Sequence, residues 1–162
     1  MTLVATIIPT PVGPLTVVAS NDGLRAVLWS EERDGRVRLP EFELGEHAVL
    51  TDATVQLGQY FAGERVAFEL PLDLVGTEFQ LAIWRGLAQI PHGATSTYAA
   101  EATRVGRPAA SRAAGGAIGR NPVSIVLPCH RVIGASGALT GFAGGVGAKR
   151  WLLEHEGVRL SA

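Results

Sequence analysis

Cysteine and methionine each occur once in this chain of 162 residues, and tyrosine only twice. One thiol cannot close an internal disulfide, so the fold must rest on its core, as expected in a reducing compartment. No apolar run approaches the roughly 20 residues needed to cross a bilayer. The opening MTLVATIIPTPVG has neither the basic start nor the small-residue cleavage site of a secretory signal. The expectation is a soluble, cytoplasmic protein without a membrane partner. Glycine pairs at 115–116 and 144–145 lack the strand and lysine that a phosphate cradle needs. The histidines at 47, 92, 130 and 155 form no ligand spacing with Cys129, so no metal is expected.

Apolar residues make up 47% of the chain and charged residues 18%, enough for a buried core. The net charge of −1 hides an asymmetry. Residues 1–75 carry five basic and eleven acidic side chains, whereas residues 76–162 carry nine basic and four acidic ones. A basic second half suits an anionic partner, although a chance distribution of solvated charge would give the same counts.

The hydrophobic pattern divides at the same place. Segments 3–8, 14–19 and 24–30 are short, rich in Val, Ile and Leu, and separated by Pro-Val-Gly-Pro and Ser-Asn-Asp-Gly, which predicts antiparallel strands with tight turns. A polar stretch follows over 31–46. Leu50, Ala53, Leu57 and Phe61 recur at helical spacing and Gly63 closes the helix. FELPLDL, residues 68–74, reads as one more strand, and Thr77 as an N-cap. Beyond it, Phe79, Ile83, Leu87 and Ile90 mark a helix face. A brief helix over 97–104 follows, and Pro108 is expected in the first turn of a third helix reaching about 118. Helix, short turn, helix is the DNA-binding pattern. The third helix, PAASRAAGGAIG, has almost no long side chain except Arg112, which suits either close approach to a partner or tight core packing. The expected fold class is α+β: a small N-terminal antiparallel sheet with a helix, residues 1–75, then a mainly helical, winged helix-turn-helix-like domain, residues 76–162.

On residue type alone, a buried cysteine is inert filler. In IVLPCHRVIG, residues 125–134, the neighbours argue otherwise. A free thiol with a pKa near 8.5 is only slightly ionised at neutral pH, so a nucleophilic cysteine needs a base. His130 is adjacent, and a histidine base needs a carboxylate to orient it. Glu154, Glu156 and Glu101 are the candidates. Cysteine beside histidine does not by itself separate a hydrolase from a transferase.

PCHRVIGASGALTGFAGG followed by KRWLLEHEG resembles the O6-alkylguanine-DNA alkyltransferases, the methylated-DNA–protein-cysteine methyltransferases. TEFQLAIWRGLAQIPHG, Tyr98 and RAAGGAIGRNP match upstream in the same order. The likeness is close over 76–157 and looser through TPVGPLTVVA. It implies direct repair of duplex DNA bound through the minor groove by a monomer. Cys129 would accept the alkyl group irreversibly from guanine O6, without a cofactor; O4-alkylthymine is left open as a second substrate. His130, oriented by Glu156, would deprotonate Cys129 through a water, and Asn121 would brace the turn. Tyr98 would press on the target phosphate and help guanine leave. Arg112 would fill the gap left by the flipped base. Arg131 would anchor the active segment or reach the DNA. Phe142, Ala143 and Val132 would shape the pocket, with the Ala143 N–H aimed at O6 and Phe142 replacing a common tyrosine. The alternatives are a non-catalytic lesion binder, which would carry tryptophan in place of Cys129, a winged-helix regulator or a cysteine hydrolase.

Overall fold

The computed structural model describes residues 2–160; Met1, Ser161 and Ala162, the outer ends of the two expected domains, lie outside the described residues. Strands β1 (Leu3–Ile8), β2 (Leu15–Ser20) and β3 (Gly23–Trp29) form the expected antiparallel meander, with Ala5 opposite Val18 and Val17 opposite Val27. A fourth strand, β4 (Phe42–Leu44), joins parallel to β1 and makes the sheet mixed, in the order β3-β2-β1-β4. It comes from the stretch read as a polar connection. All three of its residues are exposed, so backbone pairing at a sheet edge makes the strand, with no buried face to leave an alternating pattern.

Residues 68–74 are not a regular strand. The segment touches β3 through one bridge, Leu24 with Leu72, made by Leu24 N–H to Pro71 O (2.8 Å) and Asp73 N–H to Leu24 O (2.9 Å). Pro71 has no N–H with which to extend the ladder. Gly23 stands at this junction with φ 148°, and a Cβ there would lie 2.6 Å from Pro71 O. Gly23→Ala should therefore cost about 1–3 kcal/mol by urea unfolding, from strain and overpacking together. A change within about 0.5 kcal/mol would mean that the 68–74 segment yields freely.

Helix α1 (Ala48–Phe61) buries Leu50, Ala53, Leu57 and Tyr60; the stripe ends on Tyr60, three residues after Leu57, and not on Phe61 as expected. Helix α2 (Glu78–Leu87) starts at a capping box in which Thr77 accepts from Gln80 N–H and Gln80 returns the bond. Short β5 (Ser96–Thr97) leads into α3 (Tyr98–Arg104), which packs on α4 (Ser111–Gly119). Pro108 sits in the turn ahead of α4, outside its first turn, because Ala110 N–H closes back on Arg107 O and the helix starts only at Ser111. Strand β6 (Val132–Ile133) pairs parallel with β5, and α5 (Val146–His155) ends the fold. Val27, Leu57, Ile83, Ile118 and Leu152 belong to one continuous buried cluster that runs through both halves. Leu3, Ala5, Val18 and Ala26 form a smaller cluster within the sheet. The sheet therefore braces the helical half directly.

Candidate active site

The segment from Asn121 to Arg131 is fixed at several points. Val27 N–H of β3 donates to Pro122 O (2.8 Å), and the Trp29 indole donates to Ser124 Oγ (3.1 Å). Asn121 is fully buried; its amide donates to Leu127 O (2.8 Å) and its oxygen accepts from Val123 N–H (3.1 Å). Within this loop Ile125 has φ 74°, a left-handed conformation costing a β-branched residue about 1–3 kcal/mol. The loop delivers Cys129 onto a single 3₁₀ turn, Cys129–Arg131, all three residues of which are buried. Burial pushes the Cys129 thiol above its usual range, while contacts from Asn121, Arg36, Lys149 and Ser124 pull the other way. The resting group is a thiol, and it needs a base.

His130 lies next to it, fully buried, with Nε2 2.7 Å from Glu156 Oε2. Glu156 caps the C-terminus of α5. Of the other carboxylates, Glu154 is exposed, and Glu101, though buried, is bound to Ser96 and Arg104. Glu156 is thus the one that meets the imidazole. It also accepts from Arg131 Nε (2.7 Å, to Oε1), from Arg131 Nη2 (3.1 Å) and from the Tyr60 hydroxyl (2.6 Å). Arg131 completes its bonding with Nη1 on Ile90 O (2.6 Å). A guanidinium so committed and buried does not reach DNA, which removes Arg131 from the expected DNA contacts and leaves it the anchoring role.

Burial works against the Glu156 carboxylate, but His130, Arg131 and Tyr60 outweigh it and hold its pKa well below the usual range. Burial also lowers the pKa of His130 from 6.5, against the upward pull of Glu156. Both folded values lie below the unfolded ones, so acid favours the unfolded chain at both groups. Stability should begin to fall below about pH 6.5 as unfolded His130 takes up protons, and more steeply below about 4.5 through Glu156. Urea midpoints across that range test this. A midpoint that stays flat between about pH 7 and pH 5 would mean that His130 is not buried in its neutral form.

A small cavity opens onto Cys129, lined by Tyr98, Gly115, Phe142, Ala143, Arg36 and Lys149 among others. Phe142 packs edge-on to Trp29, with ring centroids 5.4 Å apart. Val132 does not line this cavity; its carbonyl accepts from Lys149 Nζ (2.6 Å) and its side chain is in the core. The Tyr98 hydroxyl meets Thr140 Oγ1 across the rim. Arg112 stands on the exposed face of α4, beside a shallow depression shared with Tyr98 and Thr140. The other face of α4 buries Ala114, Ala117 and Ile118, so its small residues serve both packing and exposure. Sequence reasoning missed Arg36, Lys149 and Tyr60. Arg36 sits in the polar connection, where nothing marks it; its Nη1 donates to Asn121 O (2.9 Å) and Gly119 O (3.2 Å) across to the helical half. Among the described residues, no group of three or more His, Cys, Asp or Glu could hold a metal ion, and no helix is long and apolar enough to cross a membrane.

Residues 78–158 match the DNA-binding domain of 6-O-methylguanine DNA methyltransferase, and residues 3–74 match its ribonuclease-like domain. A methylated-DNA–protein-cysteine methyltransferase of Methanosarcina acetivorans is 42% identical over 151 residues, covering 93% of this chain and 96% of that protein. One from Mycobacterium tuberculosis is 43% identical over 155 residues, covering 96% and 93%. The crystal structure of Mycobacterium tuberculosis OGT in complex with DNA superimposes with a TM-score of 0.86 at 42% identity, covering 96% of this chain and 92% of that one. The chain belongs to the methylated-DNA–protein-cysteine methyltransferase family.

Proposed function

We propose that this protein repairs double-stranded DNA by taking the alkyl group from O6 of an extruded guanine onto Sγ of its own Cys129, once per molecule. Residues 1–75 act as the supporting domain and residues 76–162 as the DNA-binding and transfer domain. The observation that carries the reading is the placement of the single cysteine. It opens into a cavity walled by Tyr98, Phe142 and Ala143, while the imidazole next to it is bonded to a buried carboxylate.

The proton path follows from the hydrogen bonds. With Nε2 donating to Glu156, the basic nitrogen of His130 is Nδ1, a buried atom with no partner among the described residues. Nδ1 takes the thiol proton through a water. Sγ bonds to the alkyl carbon as the O6–carbon bond breaks, and guanine departs with the electron pair, stabilised by a hydrogen bond from the Tyr98 hydroxyl. The Ala143 N–H holds O6, and the Phe142 ring supplies an apolar wall. The thioether product has no leaving group to reverse the step, so no cofactor enters and no turnover follows.

The target carbon is shielded inside a duplex, so the base must be extruded at a cost of a few kcal/mol. The exposed face of α4 carries Arg112, Ala113 and Gly116. Side chains this short fit a minor groove, and Arg112 is long enough to occupy the vacated stack. Every group in this scheme comes from one chain, so a monomer suffices. Incubation with duplex DNA containing O6-methylguanine, followed by intact mass and peptide mapping, should show one added methyl group, on Cys129, and then no more. Continued turnover, or a label on another residue, would sink the proposal. The same assay with O4-methylthymine reads whether a pyrimidine lesion is also accepted. Cys129→Ala should bind duplex DNA as the wild type does, in a gel-shift titration, because it removes no phosphate contact.

A further inference from the structure

We propose that Tyr60 is a positioning residue for alkyl transfer: its buried hydroxyl, carried on α1, donates to the Glu156 oxygen that also holds His130, and so sets how strongly that carboxylate draws a proton onto the imidazole. The inference rests on the His130–Glu156 relay proposed above.

Tyr60 is 1% exposed and its hydroxyl lies 2.6 Å from Glu156 Oε2. His130 Nε2 at 2.7 Å and Arg131 Nη2 at 3.1 Å share that oxygen. Three donors divide the acceptor strength of one oxygen, and each weakens the pull on the other two. The relay requires His130 to be neutral before the thiol proton arrives. A carboxylate bonded to the imidazole alone would favour the protonated ring, which cannot act as a base. Tyr60 and Arg131 therefore hold the relay in its receptive form.

The other titratable groups around the site are accounted for. Arg131 and Lys149 both disfavour a charge on His130, and Lys149 is itself bonded to Val132 O. His155 faces Tyr60 from α5 with Nε2 on the Tyr60 carbonyl (2.7 Å), and His92 lies against the ring at 6.5 Å. Neither bonds to the Glu156 carboxylate. Among the described residues, Tyr60 is the only donor to that carboxylate from the N-terminal half, so the sheet-and-helix unit bonds to the Glu156 side chain through one hydroxyl.

The test measures single-turnover transfer from duplex O6-methylguanine against pH, together with the His130 imidazole titration by NMR. Wild type is compared with Tyr60→Phe and with a protein carrying 3,5-difluorotyrosine at position 60, whose hydroxyl is a stronger donor. Tyr60→Phe should move the acid limb of the rate profile and the His130 titration upward together, by about one pH unit. Difluorotyrosine should move both downward. Phe68→Leu, which alters packing on the Tyr60 ring (centroids 5.6 Å apart) and no hydrogen bond, should lower stability and leave both in place. Opposite shifts with the two Tyr60 replacements support the proposal, and no shift in either overturns it. If Tyr60→Phe fails to fold, the difluorotyrosine protein decides alone. Failure of the underlying relay is distinguishable: wild type would then transfer no methyl group to Cys129, or would show no acid limb that follows His130.

Discussion

Glu156→Ala should lose about 3–5 kcal/mol of stability in urea unfolding, the loss expected when one partner of a buried ion pair is removed. Its side chain is fully buried, and removing it strands Arg131 and His130 together with the Tyr60 hydroxyl. Against a total of about 5–15 kcal/mol for a domain, that change brings the protein to the edge of folding. Glu156→Gln separates the two roles. It keeps the volume and can still accept a hydrogen bond, but it gives Arg131 no charge partner and stabilises imidazolium poorly. In a folded Glu156→Gln protein, transfer should slow by at least about tenfold. His130→Ala should slow it similarly, and in the proposed relay, where the two act as one unit, the double variant should be little slower than either single. Additive losses would mean that the residues serve separate steps. An unchanged rate in folded Glu156→Gln would leave the buried cluster a structural role alone.

This cluster also marks how far the sequence could be read. Cys129 and His130 are adjacent in the chain, so their pairing was legible from the motif; the residues left the carboxylate open among Glu101, Glu154 and Glu156, and the family resemblance pointed to Glu156, twenty-six positions from His130. Tyr60 lies ninety-six positions from Glu156 and was hidden by its own helix. Its spacing from Leu57 fits the apolar stripe as well as that of Phe61 does, and the ring without a hydroxyl was the natural choice. A stripe read at three or four residues is uncertain by one position at its end, and here that position carries the hydroxyl. The three main strands were visible because β-branched runs alternate with turn residues. β4 was not, because an edge strand of three exposed residues is specified by its neighbour's backbone. Segment 68–74 showed the opposite error: its alternation is real, but Pro71 limits it to a single bridge. Arg131 had two readings, and only burial chose between them. The charge of a side chain does not say whether its partner is an internal carboxylate or an external phosphate.

Arg112→Ala should lose reaction with O6-methylguanine in duplex DNA, by a few kcal/mol at most, and react almost normally with the free base O6-benzylguanine. The difference isolates extrusion. In the proposed extrusion a flipped nucleotide leaves a gap in the stack that Arg112, exposed on α4, would fill, whereas a free base leaves no gap. Tyr98→Phe should instead weaken both reactions, because guanine leaves from either substrate and loses the same hydroxyl donor. Tyr98 also bonds Thr140 across the rim, so its loss can loosen the 137–145 loop. Thr140→Val controls for that: it removes the rim bond and keeps the phenol, and it should retain most of the free-base rate. Rates must be compared at one salt concentration, since phosphate contacts make DNA binding steeply salt-dependent. Equal losses on duplex and free base for Arg112→Ala would place Arg112 in support of the cavity and not in the DNA stack. Equal rates on both for Tyr98→Phe would remove the hydroxyl from the leaving step, leaving the Ala143 N–H to carry the developing charge on O6.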